Sequence, residues 1–177
     1  MKPDIFLDDF SRTAESDAYY AVLGRALAFA TRFEANCRSL ATIIAIRMNP
    51  EIFLESPERQ SEFVQRAGDR ALAQHLNNFA PLFADPPGLN SQVALTEARE
   101  ARNEIAHETA LGVIDWLSDP EYRKAFLQNI ERLMRVIALG DRVVSVALSS
   151  LTHEPLPTGQ FLGNYENRVA AWVGQLT

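Results

Sequence analysis

Residues 19–50 read YYAVLGRALAFATRFEANCRSLATIIAIRMNP, and how this stretch folds decides the class of the whole chain. Its apolar residues recur at steps of three and four: Tyr20, Leu23, Leu27, Ala30, Phe33, Cys37, Leu40, Ile44 and Met48. That spacing places them along one side of a helix, whereas a half-buried strand would alternate at every second residue. The predicted helix begins between Ser11 and Asp17 and stops at Asn49–Pro50, because proline disfavours helical backbone in the residue before it. So long a helix with one apolar stripe needs other helices to cover it.

The flanking sequence supplies them. A second helix opens at "SPER", with Ser56 as cap and Pro57 at the first helical position. It runs to about Phe79, turning Phe63, Ala67, Leu72, Leu76 and Phe79 inward. Gly68 in its interior costs about 1 kcal/mol relative to Ala and marks either a close helix crossing or a break. "ADPPGLN", residues 84–90, is a loop by its prolines and glycine. A third helix starts at Asn90 or Ser91 and ends near Gly112. "SDPE" at Ser118–Glu121 then offers a cap and a helix-starting proline. The fourth helix continues to about Leu148, with Tyr122, Phe126, Ile130, Leu133, Ile137, Gly140, Val144 and Leu148 facing the core. "THEPLPTGQFLGN", residues 152–164, reads as loop. A short amphipathic helix carrying Tyr165, Val169, Trp172 and Leu176 closes the chain by docking on the rest. No segment alternates as a strand with hairpin turn chemistry. The expectation is an all-α, antiparallel up-and-down four-helix bundle. It forms a single domain over residues 1–177, with the bundle at about 12–148 and a C-terminal extension at 149–177.

With 177 residues, 47% of them apolar, the chain is long enough for one sizeable core. No run of eighteen apolar residues occurs, which argues against a transmembrane helix. The opening "MKPDIFLDDFSRTAESD" is acidic and lacks the basic-then-apolar layout of a signal peptide. A single cysteine, Cys37, cannot form an internal disulfide, and a reducing, cytoplasmic setting is the simplest expectation. The net charge of −6 argues against non-specific nucleic-acid binding over the whole surface but leaves room for a local basic site.

One stretch speaks to function: "AREARNEIAHE", residues 98–108, on the third helix. On a wheel advancing about 100° per residue, Ala94, Ala98, Ala101 and Ile105 share a narrow packing side. Thr96, Arg99, Glu100, Asn103 and His107 lie opposite, and Arg102 sits on the flank. His107 is therefore not a core histidine of its own bundle. The plain reading is a solvated polar face, with Glu104 and Glu108 as solvated residues. The other is a site open to a substrate or a second subunit.

"RNEIAH", residues 102–107, resembles the Arg-x(4–6)-His signature of the HEPN superfamily (higher eukaryotes and prokaryotes nucleotide-binding domains), in which a polar residue often follows the arginine. The "RFEANCRSLA" stretch of the first helix is similar to what many members show, and the resemblance covers about residues 15–148 as four helices. It implies a bundle that dimerises with two Arg/His motifs meeting at the interface. It also implies a metal-independent endoribonuclease of toxin–antitoxin or defence type, or a non-catalytic interaction or nucleotide-binding module. By motif position, Arg102, Asn103 and His107 are the catalytic candidates, and Arg99, one turn before Asn103, is a candidate RNA contact. The expected partners are RNA, a second copy of the chain and a possible antitoxin, with no cofactor, metal or membrane.

The chemistry fits from below. RNA is cut without metal when a base takes the 2′-hydroxyl proton and the oxygen attacks the adjacent phosphorus. Imidazole, with an unperturbed pKa of about 6.5, suits that task. A guanidinium holds two phosphate oxygens at once, and an amide such as Asn103 can orient the phosphate or the imidazole. One motif histidine per chain is awkward for a reaction that needs both a base and an acid, and a symmetric dimer would supply two.

Other residues offer less. His75 lies beside an apolar stripe and reads as half-buried, and His153 reads as a loop residue. The three histidines lack HxxxH or HExxH spacing. No phosphate-cradling glycine motif or nucleophile elbow occurs. Cys37 lies on the core stripe, which predicts an inert thiol.

Overall fold

The computed structural model describes residues 14–69, 89–109, 119–155 and 159–176, and every regular element among them is helical. The chain is all-α in these residues. Helix α1 spans Ala14–Met48, and a 3-10 turn at Pro50–Leu54 leads into α2, Pro57–Asp69. Helix α3, Ser91–Glu104, runs into a π-helical turn at Ile105–Thr109. Helix α4 is Pro120–Thr152, followed by one turn of α5, Gly159–Leu162, and by α6, Tyr165–Gly174.

The helix starts follow local chemistry. Asn90 Oδ1 accepts from the Val93 N–H at 3.1 Å at the head of α3. Asp119 caps α4 by accepting from the Glu121 N–H at 2.9 Å, with Pro120 first in the helix. Both side chains satisfy backbone donors that the first turn leaves without partners. Helix α4 ends at His153, whose φ of 60° lies in the left-handed region. It is four residues longer than expected.

The core lies where α1, α3 and α4 meet. Phe33 and Leu40 from α1, Leu95 and Ile105 from the third helical segment, and Ile130, Leu133, Met134, Ile137 and Val144 from α4 are fully buried. Each such side chain contributes about 1.5–3 kcal/mol relative to exposure. The crossing depends on Gly140: a Cβ there would sit 2.4 Å from the Ala98 Cβ and 3.2 Å from the Phe33 ring. The lack of a side chain lets α3 and α4 approach over Phe33. Gly68 marks a looser crossing, with an added Cβ 3.2 Å from the Arg38 Cγ.

Helix α6 docks through Val169, Ala170 and Val173. Arg25 of α1 donates to the Val173 carbonyl from Nε at 3.1 Å and Nη2 at 2.9 Å, and also to the Gln175 carbonyl. It thereby pairs acceptors at the negative end of the helix.

Several expectations shift. Tyr20 and Met48 were placed on the inward stripe of α1, yet both are exposed, Met48 to 72%. Tyr19, Val22 and Ala26 are buried instead, because an unbroken stripe drifts around a straight helix over many turns. Met48 is also the last residue before the chain turns at Pro50. Trp172 and Leu176 were expected to face inward and are 47% and 50% exposed. The smaller Ala170 and Val173 lie inward, where α6 must sit close to α4, and Leu176 lies beyond the helix end. Residues 159–162 form a helical turn where loop was expected. The continuation of the second helix from residue 70 to Phe79, the prolines of the loop after it, His75 and the end of the third helix near Gly112 lie outside the described residues. Among the described residues no helix is long and apolar enough to cross a membrane.

Candidate functional site on the outward face of α3

The packing side of α3 is as the wheel predicts: Ala94, Ala98, Ala101 and Ile105 are buried, and Leu95 joins them. Asn103 and His107 are exposed on the opposite side. Between them the helix changes pitch. The π turn from Ile105 to Thr109 holds more residues per turn than an α-helix, so each advances by less than the usual angle. This brings His107 somewhat nearer the Arg102 flank than an ideal wheel does. The Thr109 hydroxyl donates to the Glu104 carbonyl at 3.1 Å inside this turn, pairing an acceptor within the altered stretch. Single π turns inside helices recur at functional sites.

Arg102 does not reach into solvent. Its Nη2 pairs with Glu34 Oε2 on α1, and the two side chains are 23% and 30% exposed. Its Nη1 donates to Asn103 Oδ1 at 3.2 Å. This orients the Asn103 amide, because with Oδ1 turned to the guanidinium the NH₂ donors point away from it. Arg38, one turn along α1, adds a second cation to Glu34 at 3.5 Å. Arg99 lies 3.5 Å from Glu100. The four residues proposed from sequence therefore share one face, but Arg99 and Arg102 each already hold a carboxylate.

Two contributors are not legible from sequence alone. Glu34 lies in the "RFEANCRSLA" stretch, one residue beyond the buried Phe33. It carried a polar signal without any hint of a partner 68 residues away. On the other flank, Glu104 is not simply solvated. It accepts from Asn129 Nδ2 at 3.0 Å, and Arg132 of α4 approaches it at 3.3 Å. The face is therefore framed by two ion-paired edges, Glu34–Arg102–Arg38 toward α1 and Glu104–Asn129–Arg132 toward α4. Asn103 and His107 stand between them.

The remaining candidates are placed as follows. His153 caps α4 and is exposed. Cys37 is buried, and its thiol is pushed far above the ordinary range by burial, with the nearby Asp141 and Glu34 charges adding to it. It is an inert thiol, as expected. Among the described residues, no group of three or more His, Cys, Asp or Glu side chains is placed to hold a metal ion.

These features define a helical protein with a polar, arginine-framed face. No family model matches the chain, and neither a curated protein nor a solved structure matches it.

Proposed function

We propose that the chain is a HEPN-like four-helix bundle, built from α1 to α4, that pairs with a second copy through the outward face of α3 and cuts RNA without a metal. The observation that carries the reading is the joint exposure of Asn103 and His107 beside Arg102 at a π turn. In the paired state one His107 takes the 2′-hydroxyl proton as the oxygen attacks phosphorus. The other gives a proton to the departing 5′-oxygen. Arg102 holds the phosphate oxygens and Asn103 donates to them. Arg99 contacts the RNA backbone. Such an activity suits a cytoplasmic toxin or defence component held in check by an antitoxin.

A second reading has its own support. The Glu34–Arg102 pair neutralises the guanidinium, which suits a non-catalytic interaction or nucleotide-binding module that keeps the same face for a partner. The two separate in one experiment, in which purified protein and a His107→Ala variant are incubated with RNA in EDTA and their masses are measured by sedimentation. A dimer whose cleavage persists in EDTA and disappears in the variant supports the ribonuclease. A dimer without cleavage supports the module. Equal cleavage by both proteins, or a monomer, overturns the composite site.

A further inference from the structure

A second candidate site lies on another side of α1. Residues 28 and 32 of α1 are roughly 120–160° around the helix from Glu34 at ~100° per residue, so this surface is separate from the Arg102 face. Here α5 and α6 overhang α1 and leave an open cleft of about 670 Å³. That volume falls within the range of about 300–1,000 Å³ usual for small-molecule sites.

The cleft exists because its floor is small. Ala28 of α1 and Ala171 of α6 line it and are exposed, and longer residues there would fill it. Its walls are aromatic, with Phe161 and Trp172 both lining the space. The outward Trp172, unexplained by packing, has a place in this wall. Two arginines also line it. Arg168 lies over the Phe161 ring, 4.8 Å from the centroid, and Arg32 lies 5.7 Å from the Phe29 centroid. A guanidinium lying on a ring keeps its edge N–H groups directed outward for an anion. Arg32 is only loosely held by Asp141 at 3.8 Å, and its side chain is 59% exposed. Among the described residues, no carboxylate pairs with Arg168.

We propose that this cleft binds a flat amphipathic organic anion: an aromatic ring system packed on Trp172, with the Arg168-covered Phe161 ring as the far wall, carrying a carboxylate, sulfonate or phosphate held by Arg168 and Arg32. The charge argument decides the ligand class. Two guanidiniums on apolar walls stand out on a chain of net charge −6. Such walls accept a ring, and such cations select a ring that carries negative charge. The site is independent of the reading given to Arg102 and His107.

The probe is 8-anilinonaphthalene-1-sulfonate, titrated into the folded full-length chain with tryptophan emission as one readout, the Trp172 share being its difference from Trp172→Phe, and probe emission as the other. The expected result is saturable binding of one probe per chain with quenching of Trp172. Arg168→Ala should weaken it on the order of tenfold, the size of one lost charge-assisted hydrogen bond. Ala171→Phe should block it while leaving the melting transition in place, since the position is exposed. N-phenyl-1-naphthylamine, which lacks the sulfonate, should bind at least tenfold more weakly. Trp172→Phe should remove the quenching signal. Absence of saturable binding to the folded chain overturns the proposal. So does binding by Arg168→Ala or Ala171→Phe that equals that of the native chain, or equal affinity for the uncharged analogue.

Discussion

Two carboxylates anchored through neighbouring turns of α1 differ in kind. Asp141 on α4 is completely buried. It accepts from Asn36 Nδ2 at 2.9 Å and from the Tyr165 hydroxyl at 2.5 Å, with Arg32 beyond at 3.8 Å. Glu34 is part exposed and is shared by Arg102 and Arg38. The first joins α1, α4 and α6 with oriented neutral donors in a dry setting. The second is part exposed and balances two cations. A buried, fully bonded carboxylate is costly to disturb and tends to fix one arrangement. A half-exposed pair is cheap to open, and its cation remains available to an incoming phosphate. Burial separates the structural cluster from the candidate site here, since both are rich in polar groups.

The largest expected effect tests the first half of this contrast. Asp141→Ala leaves the Asn36 amide and the Tyr165 hydroxyl without their shared acceptor. It should cost about 3–5 kcal/mol, read as a fall in the urea midpoint. Next is Gly140→Ala, at the point where the two clusters are mechanically joined. Gly140 precedes Asp141, and its would-be methyl meets Ala98, four residues before Arg102, and Phe33, beside Glu34. Alanine gains about 1 kcal/mol of helix propensity, but the methyl overlaps neighbours on two sides. A net loss of about 1–2 kcal/mol is expected, and most of it should return in the Ala98→Gly/Gly140→Ala double variant. If the double variant is no better than the single, the close crossing is not what selects glycine.

Much of this was readable from residue spacing. The start of α4 at Pro120, the start of α3 at Asn90–Ser91, the end of α1 at Met48 and the buried alanines of α3 all follow from local rules. Those rules act within one or two turns. The two clusters follow from no such rule. Glu34 and Arg102 are 68 residues apart, and Asn36 and Asp141 are 105 apart. Such pairs arise only when helix packing has fixed which flanks face each other. The burial of Asp141 is the sharpest case, because a charged residue following glycine on an apolar stripe reads as surface until its three partners are in place. The rotation of α6, which turned Trp172 outward, was hidden for a related reason. Alanine and tryptophan both count as apolar in a periodic pattern, but only alanine fits close to α4.

A smaller effect separates the roles within the Asp141 cluster. Tyr165→Phe removes one hydrogen bond while Asn36 still serves Asp141, so the loss near neutral pH should be about 1 kcal/mol. Burial, followed by the bond to Asp141, raises the Tyr165 phenol above its ordinary range. A group whose folded pKa is raised stabilises fully below its unfolded pKa, here about 10 for tyrosine, and loses that contribution as pH rises further. The stability gap between the native chain and Tyr165→Phe should therefore narrow above about pH 10. Cys37, also raised, titrates in both proteins and cancels from the difference. A gap that stays constant to pH 11 would show that folding does not raise the phenol's pKa.

The smallest stability change carries the most functional information. Glu34→Gln keeps the side-chain shape and removes the charge that Arg102 and Arg38 share. Because the pair is part exposed, the cost should stay below about 1 kcal/mol. If the chain binds RNA as proposed, removing the carboxylate beside Arg102 should also tighten that binding several-fold at low salt, with the gain fading as salt rises. Asp141→Asn, tested alongside, should leave RNA affinity unchanged because that residue lies behind α1 and α6 in the dry interior. If Glu34→Gln destabilises as much as Asp141→Ala, the Arg102 pair is a structural tie like the buried one. If both variants bind RNA alike, the two carboxylates do not divide the work as their burial implies.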